Sequence, residues 1–230
     1  MSLNSGTRPM TLLTSWRPID VAISLLGVVV LLLIISALTS ATPSVNLANL
    51  FAFDAEGNVV TGYAIILWLF LALILRLMAA KYRTTAQTTS ARAASVFSYL
   101  ALFFAIDEAS GLSLKIRLII LDFGVPPQNL DQDQIWIWLY GLIVLLIVAV
   151  ATPGMVRLSK VSPKFLKGMA VGAVVFGASA IGLEIVPSLK SLSYEPVLEE
   201  TLEMVAVIIM IWGALHGLGP FAVTDRRVDA

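Results

Sequence analysis

Apolar residues fall along this chain in long blocks. Six stretches, near 19–39, 62–80, 93–112, 134–152, 166–186 and 197–217, each hold close to 20 mostly apolar residues. A helix of about 20 residues crosses a hydrocarbon core of about 30 Å. The first block, VAISLLGVVVLLLIISAL, is the purest. It is longer than the apolar core of a signal peptide and ends on Thr39–Ser40–Ala41, a poor cleavage site, so a retained helix is expected. The third block is the least apolar because it contains Asp107 and Glu108. Breakers mark the joints: Pro43, Gly57, Pro126–Pro127, Pro153–Gly154, Pro163, Pro187, Pro196 and Gly219–Pro220. The longest loops, 40–61 and 113–133, are too short for a soluble domain. The pattern predicts an all-α integral membrane protein, a six-transmembrane-helix bundle forming a single transmembrane domain over 1–230.

Composition agrees with that class. Hydrophobic residues make up 58% of the chain, charged residues 13%, and the mean hydropathy is +0.91, against roughly 45–50% and about 25% in soluble domains. The 15 Lys and Arg balance the 15 Asp and Glu, which excludes a basic nucleic-acid binder and leaves the lipid bilayer as the expected partner. The absence of cysteine excludes disulfides, thiol nucleophiles and thiolate metal sites, and a single histidine excludes multi-histidine centres.

The bases add direction. If six helices alternate, 12 of the 15 Lys and Arg share one side: Arg8, Arg17, Arg76, Lys81, Arg83, Arg92, Arg157, Lys160, Lys164, Lys167, Arg226 and Arg227. The positive-inside rule makes that side cytoplasmic, together with both termini. The expected location is the plasma membrane, in a bacterium the inner membrane. Lys115, Arg117 and Lys190 fall outside, along with 12 of the 15 acids. Solubility explains Asp54, Glu56, Asp122, Asp131 and Asp133, which lie in loops, but not the acids within spans.

Those acids are the candidate chemistry. An ionisable group near the centre of a span costs about 2.5–3.5 kcal/mol on insertion scales. Asp107 and Glu108 lie in the third block, Glu184 in the fifth, and Glu199, Glu200 and Glu203 in the sixth. Counted from the block ends, Asp107 and Glu203 both fall roughly 8–9 Å below the outer surface. Glu203 shares a helix face with Glu199 and nearly with Glu200, whereas Asp107 and Glu108 point about 100° apart. As solvated residues at a helix start, Glu199 and Glu200 also suit the helix dipole. Glu184 continues a small-residue face that includes Gly168-x-x-x-Gly172, a pattern for close packing of membrane helices. That face, over 166–186, is also where a membrane-protein partner or a second copy would dock.

Carboxylates converging from three helices would share protons, pair with Lys115, Arg117 or Lys190, or hold a cation. Asp107, Glu203, Glu184, Glu200 and Glu108 are then the candidate metal ligands, and all-oxygen donors suit a divalent cation such as Ca²⁺, Mg²⁺ or Mn²⁺. A di-iron bundle needs Glu-x-x-His pairs, and none is present. His216 is 13 residues beyond Glu203, roughly 20 Å along a helix, and reads as a helix-end histidine. Gly-x-Ser-x-Gly and phosphate-loop patterns are missing. Ser110 and Ser113 have no histidine base at their depth. Trp136, Trp138, Tyr140 and Trp212 fit interfacial belts, and 112–121 an interfacial segment. The two halves of the chain run opposite ways but place their acids differently, which argues against an inverted repeat.

Two patches, Ala105–Ile–Asp–Glu–Ala–Ser110 and Leu198–Glu–Glu–Thr–Leu–Glu–Met204, resemble a loose group of uncharacterised bacterial multi-pass membrane proteins. The resemblance implies functional positions at Asp107, Glu108, Glu199, Glu200 and Glu203, and no known activity. The group carries a His-Glu pair about five residues after the Asp-Glu step; here Ser113 and Leu114 stand there. The leading expectation is a membrane protein with an extracytoplasmic carboxylate cluster that binds a cation or shares protons. A non-catalytic accessory or assembly subunit of a larger complex is the alternative. An intramembrane metal-dependent hydrolase, the third reading, lacks a nitrogen ligand or base.

Overall fold

The computed structural model describes residues 17–53, 57–112, 115–116, 118–119, 135–183 and 194–219. Among these the regular elements are helices: α1 (Pro18–Ser40), α2 (Val45–Phe51), α3 (Val59–Thr84), α4 (Thr88–Ser110), α5 (Ile135–Val161), α6 (Pro163–Gly177), running on into a π-helical turn (Ala178–Leu183), and α7 (Glu195–Leu218). The short α2 lies within the loop expected over 40–61.

Local chemistry sets several ends. The side-chain oxygen of Asn58 accepts from the Val60 and Thr61 amides at 2.8 and 3.1 Å and starts α3. Ser162 does the same for α6 through the Phe165 amide, with Pro163 as first residue. Gly111, at φ 56°, takes the left-handed conformation that closes α4 and returns its amide to the Asp107 carbonyl at 2.8 Å.

Five segments are long and apolar enough to cross a membrane: Pro18–Ser40, Val59–Thr84, Thr88–Ser110, Gly141–Lys160 and Glu195–Leu218. The fifth expected span, 166–186, differs. Its α-helix stops at Gly177 after 15 residues and the winding changes to a π turn of six. A second difference concerns Pro153–Gly154, expected as a loop. Helix α5 continues through Pro153 to Val161. Gly154 lies so close to α4 that a Cβ there would come within 2.4 Å of the Ala93 Cβ and 2.7 Å of the Thr89 carbonyl oxygen. Tertiary packing thus holds a helix across a residue that local rules treat as a breaker. Only Ser162 then separates α5 from α6, and Arg157, Lys160, Lys164 and Lys167 ride on helices.

The interior forms around α3 and α7. Leu67, Leu71, Leu75 and Met78 of α3 and Met204, Ile208 and Ile211 of α7 are fully buried. Helix α3 packs on α4 and α7, α7 on α6 and α1, and α5 on α4 and α6. Helices α1 and α5 are peripheral, with Ile23, Leu31, Leu38, Leu142, Leu145 and Val150 exposed. Apolar residues all around a helix are stable outside only where lipid is the solvent.

Small residues permit the closest approach. A Cβ on Gly168 would lie 2.5 Å from the Gly213 Cα, and one on Gly172 would lie 2.7 Å from the Ala206 carbonyl oxygen. The Gly168-x-x-x-Gly172 face therefore meets α7 of the same chain, and that part of it is not free for a partner. Gly177, further along, meets nothing within 4 Å.

Candidate functional site

The acids sit near the C-terminal end of α4 and the N-terminal end of α7. Glu195 and Pro196 open α7. Glu203 is thus eight residues into the helix, about 12 Å, while Asp107 is three residues from the end of α4, about 4.5 Å. The equal depth expected from block ends does not carry over to the helix ends, because α7 starts earlier than the apolar block. The charges of Asp107, Glu108, Glu199 and Glu200 all act on Glu203, and those of Glu108 and Glu199 act on Glu200. Asp107, Glu108, Glu199, Glu200 and Glu203 are half-buried. Like charges partly removed from water repel more strongly than on an open surface.

Three aromatic rings pack beside these acids. Trp68 of α3 stacks on Phe104 of α4 with centroids 4.8 Å apart, and Phe176 of α6 meets both edge-on at 5.4 Å. Phe104 precedes Asp107 by three residues and Glu108 by four, so it shares their side of α4. Phe176 precedes Ser179 by three. The fully buried Ser179, in the π turn, donates its hydroxyl to the Glu199 carbonyl oxygen at 2.9 Å. The π turn thereby ties α6 to the helix that carries three of the acids. Such single π turns recur at functional sites.

Two further groups escaped the sequence reading. Among the described residues, the hydroxyl oxygens of Ser110, at the end of α4, and of Thr201, between Glu200 and Glu203, are buried without a hydrogen-bond partner. Most buried polar atoms have one. Ser110 drew notice only as a nucleophile, and nothing in the pattern around Thr201 marks it.

Among the described residues no group of three or more His, Asp or Glu is arranged to hold a metal ion. Of the five candidate ligands, Asp107, Glu108 and Glu200 lie within electrostatic range of Glu203, and among the described residues they form no chelate. Glu184 lies outside the described residues, as do Arg117 and Lys190. So do the side chains of Trp136, Trp138 and Tyr140. Lys115 is exposed. His216 is in the last turn of α7, its ring 4.8 Å from that of Trp212, at the opposite end from the acids.

A family model described as "Domain of unknown function (DUF8692)" matches residues 22–217. The chain belongs to the DUF8692 family. The match runs from α1 to α7 and includes both acid-bearing segments. No curated protein and no solved structure matches the chain.

Proposed function

We propose that this DUF8692 member is a multi-pass membrane protein whose carboxylates on α4 and α7 form one titrating set at the extracytoplasmic end, sharing protons or a bound cation. In this reading six segments cross the membrane, the fifth being α6 with its π turn, and both termini are cytoplasmic. Asp107 and Glu203 are the central pair, with Glu200, Glu108 and Glu184 around them. What supports it is that Asp107 and Glu108 on α4 lie within electrostatic range of Glu203 on α7, although the two segments are far apart in sequence. Acids placed only for solubility would diverge into water. A shared proton or a cation relieves the repulsion that the fold imposes. A divalent ion would take oxygen donors here.

Metal analysis and thermal melting of the detergent-purified protein, repeated with Asp107→Asn and Glu203→Gln, test this. With a cation, bound metal falls in both variants. With shared protons, no metal is found, the wild-type melting temperature falls as the pH rises and the set ionises, and the fall flattens in the variants. Unchanged metal content together with an unchanged pH profile would sink the proposal.

One observation favours the accessory-subunit reading. Gly177 leaves open space on α6, where a partner helix would fit. Gly177→Leu should then abolish a co-purifying partner or second copy. A wild-type chain that purifies alone as a monomer removes this reading. For the hydrolase reading, the lone histidine sits at the wrong end of α7.

A further inference from the structure

The basic end of the bundle carries a second arrangement that the carboxylate reading does not use. Arg76 and Arg83 are seven residues apart on α3 and so share a face; Arg92 and Tyr99 do the same on α4. All four are exposed. The helices run antiparallel and are joined on this side by matched rungs. Arg76 Nη1 donates to the Tyr99 hydroxyl at 3.3 Å, its guanidinium 5.3 Å from the centre of that ring. Arg83 Nη2 donates to Ser95 Oγ at 3.1 Å. None of the three arginines pairs with a carboxylate among the described residues. The guanidinium groups of Arg76 and Arg83 are held in place by these bonds to neutral hydroxyls.

The same face changes character along its length. Leu73 and Leu69 continue the Arg76 row away from the basic end, and Leu102 and Ile106 continue the Tyr99 row in the same direction. All four are exposed. A phospholipid has this sequence of chemistry, anionic phosphate first and hydrocarbon next. Arg76 lies eight residues inside the end of α3, about 12 Å, where an arginine facing acyl chains is costly unless its head reaches a polar partner. Guanidinium groups match phosphate oxygens in geometry as well as charge, and basic pockets between membrane helices bind anionic headgroups.

We propose that the α3–α4 face binds an anionic phospholipid, with its phosphate between Arg76 and Arg83 and its acyl chains along Leu69, Leu73, Leu102 and Ile106. Arg92 adds charge at the rim, and Tyr99 holds Arg76 in position. The site rests on the chain being membrane-embedded and is independent of the acids on α4 and α7.

The test is thermal melting and native mass spectrometry of the full chain in neutral detergent. The probes are added phosphatidylglycerol, phosphatidylcholine or inorganic phosphate. Phosphatidylglycerol should raise the melting temperature and remain bound, and the other two should not. Arg76→Gln and Arg83→Gln should each weaken its binding about fivefold, and the pair more. Lys167→Gln, a base on α6 away from this face, should leave binding unchanged. Three outcomes overturn the proposal: equal binding of both lipids, equal loss in Lys167→Gln (net charge alone), and stabilisation by inorganic phosphate matching that by the lipid. Variants that fail to purify are replaced by Arg76→Lys and Arg83→Lys, which keep the charge and lose the fork; binding equal to wild type would contradict the geometry.

Discussion

The two halves of the bundle are built to different standards. Towards the basic end α6 and α7 touch backbone to backbone at Gly168 and Gly213, Gly217 leaves room for Met78 and Phe165, and Phe165 is fully buried. Two polar side chains there close the end of α7. The buried Tyr82 hydroxyl donates to the Gly217 carbonyl oxygen at 3.1 Å, and Lys81 donates to that of Leu218, satisfying the C-terminal end of α7. Towards the acid end α6 gives way to a π turn, Gly177 faces open space, five carboxylates are half-buried, and two hydroxyls have no partner among the described residues. The first half spends its small residues on contact. The second keeps polar groups in places where packing alone gives no reason for them. In a chain of this size, the half that is poorly explained by packing is where chemistry should be sought.

Substitutions that treat the halves alike should expose the difference. The largest effect is expected of Gly168→Val, which drives a branched side chain into the Gly213 backbone. Neither backbone can yield without moving a helix, so a loss of about 3 kcal/mol or more is expected, read as loss of a monodisperse species or a large fall in melting temperature. Tyr82→Phe should cost about 1 kcal/mol, since the buried Gly217 carbonyl loses its donor. In the other half, Ser179→Ala removes the bond to the Glu199 carbonyl. Side-chain hydrogen bonds between membrane helices average about 0.6 kcal/mol, so melting should change little, but the pH profile should shift if the π turn positions the acids. Gly177→Ala should be neutral or stabilising by up to about 1 kcal/mol, because its Cβ enters open space and alanine favours the helix. If Gly177→Ala proves as damaging as Gly168→Val, the two halves are not different in kind.

Much of this was legible in the sequence. Apolar blocks identified the helices, because in lipid a backbone must satisfy its own polar groups and a helix does so locally. Gly168-x-x-x-Gly172 identified a packing face, and the acids within the spans drew attention by their cost. The readings that changed were of boundaries and of one packing face. Pro153–Gly154 reads as a joint in isolation, yet α4 holds the helix through it. The small-residue face over 166–186 reads as one continuous stripe, yet its first part meets α7 and Gly177 meets nothing. Depths counted along the sequence placed Asp107 and Glu203 level, yet α7 begins earlier than its apolar block.

The sequence alone determined that this is a helical chain with several segments apolar enough to cross a membrane, because hydrophobicity and helix propensity act over a few neighbouring residues. Only the tertiary structure decided which acids lie within electrostatic range of Glu203, that Ser179 bonds to the acid-bearing helix, that the hydroxyls of Ser110 and Thr201 are buried without a partner among the described residues, and that Arg76 and Arg83 bond across to α4. Those are contacts between residues distant along the chain, and they depend on how the helices rotate and cross, which local pattern does not encode.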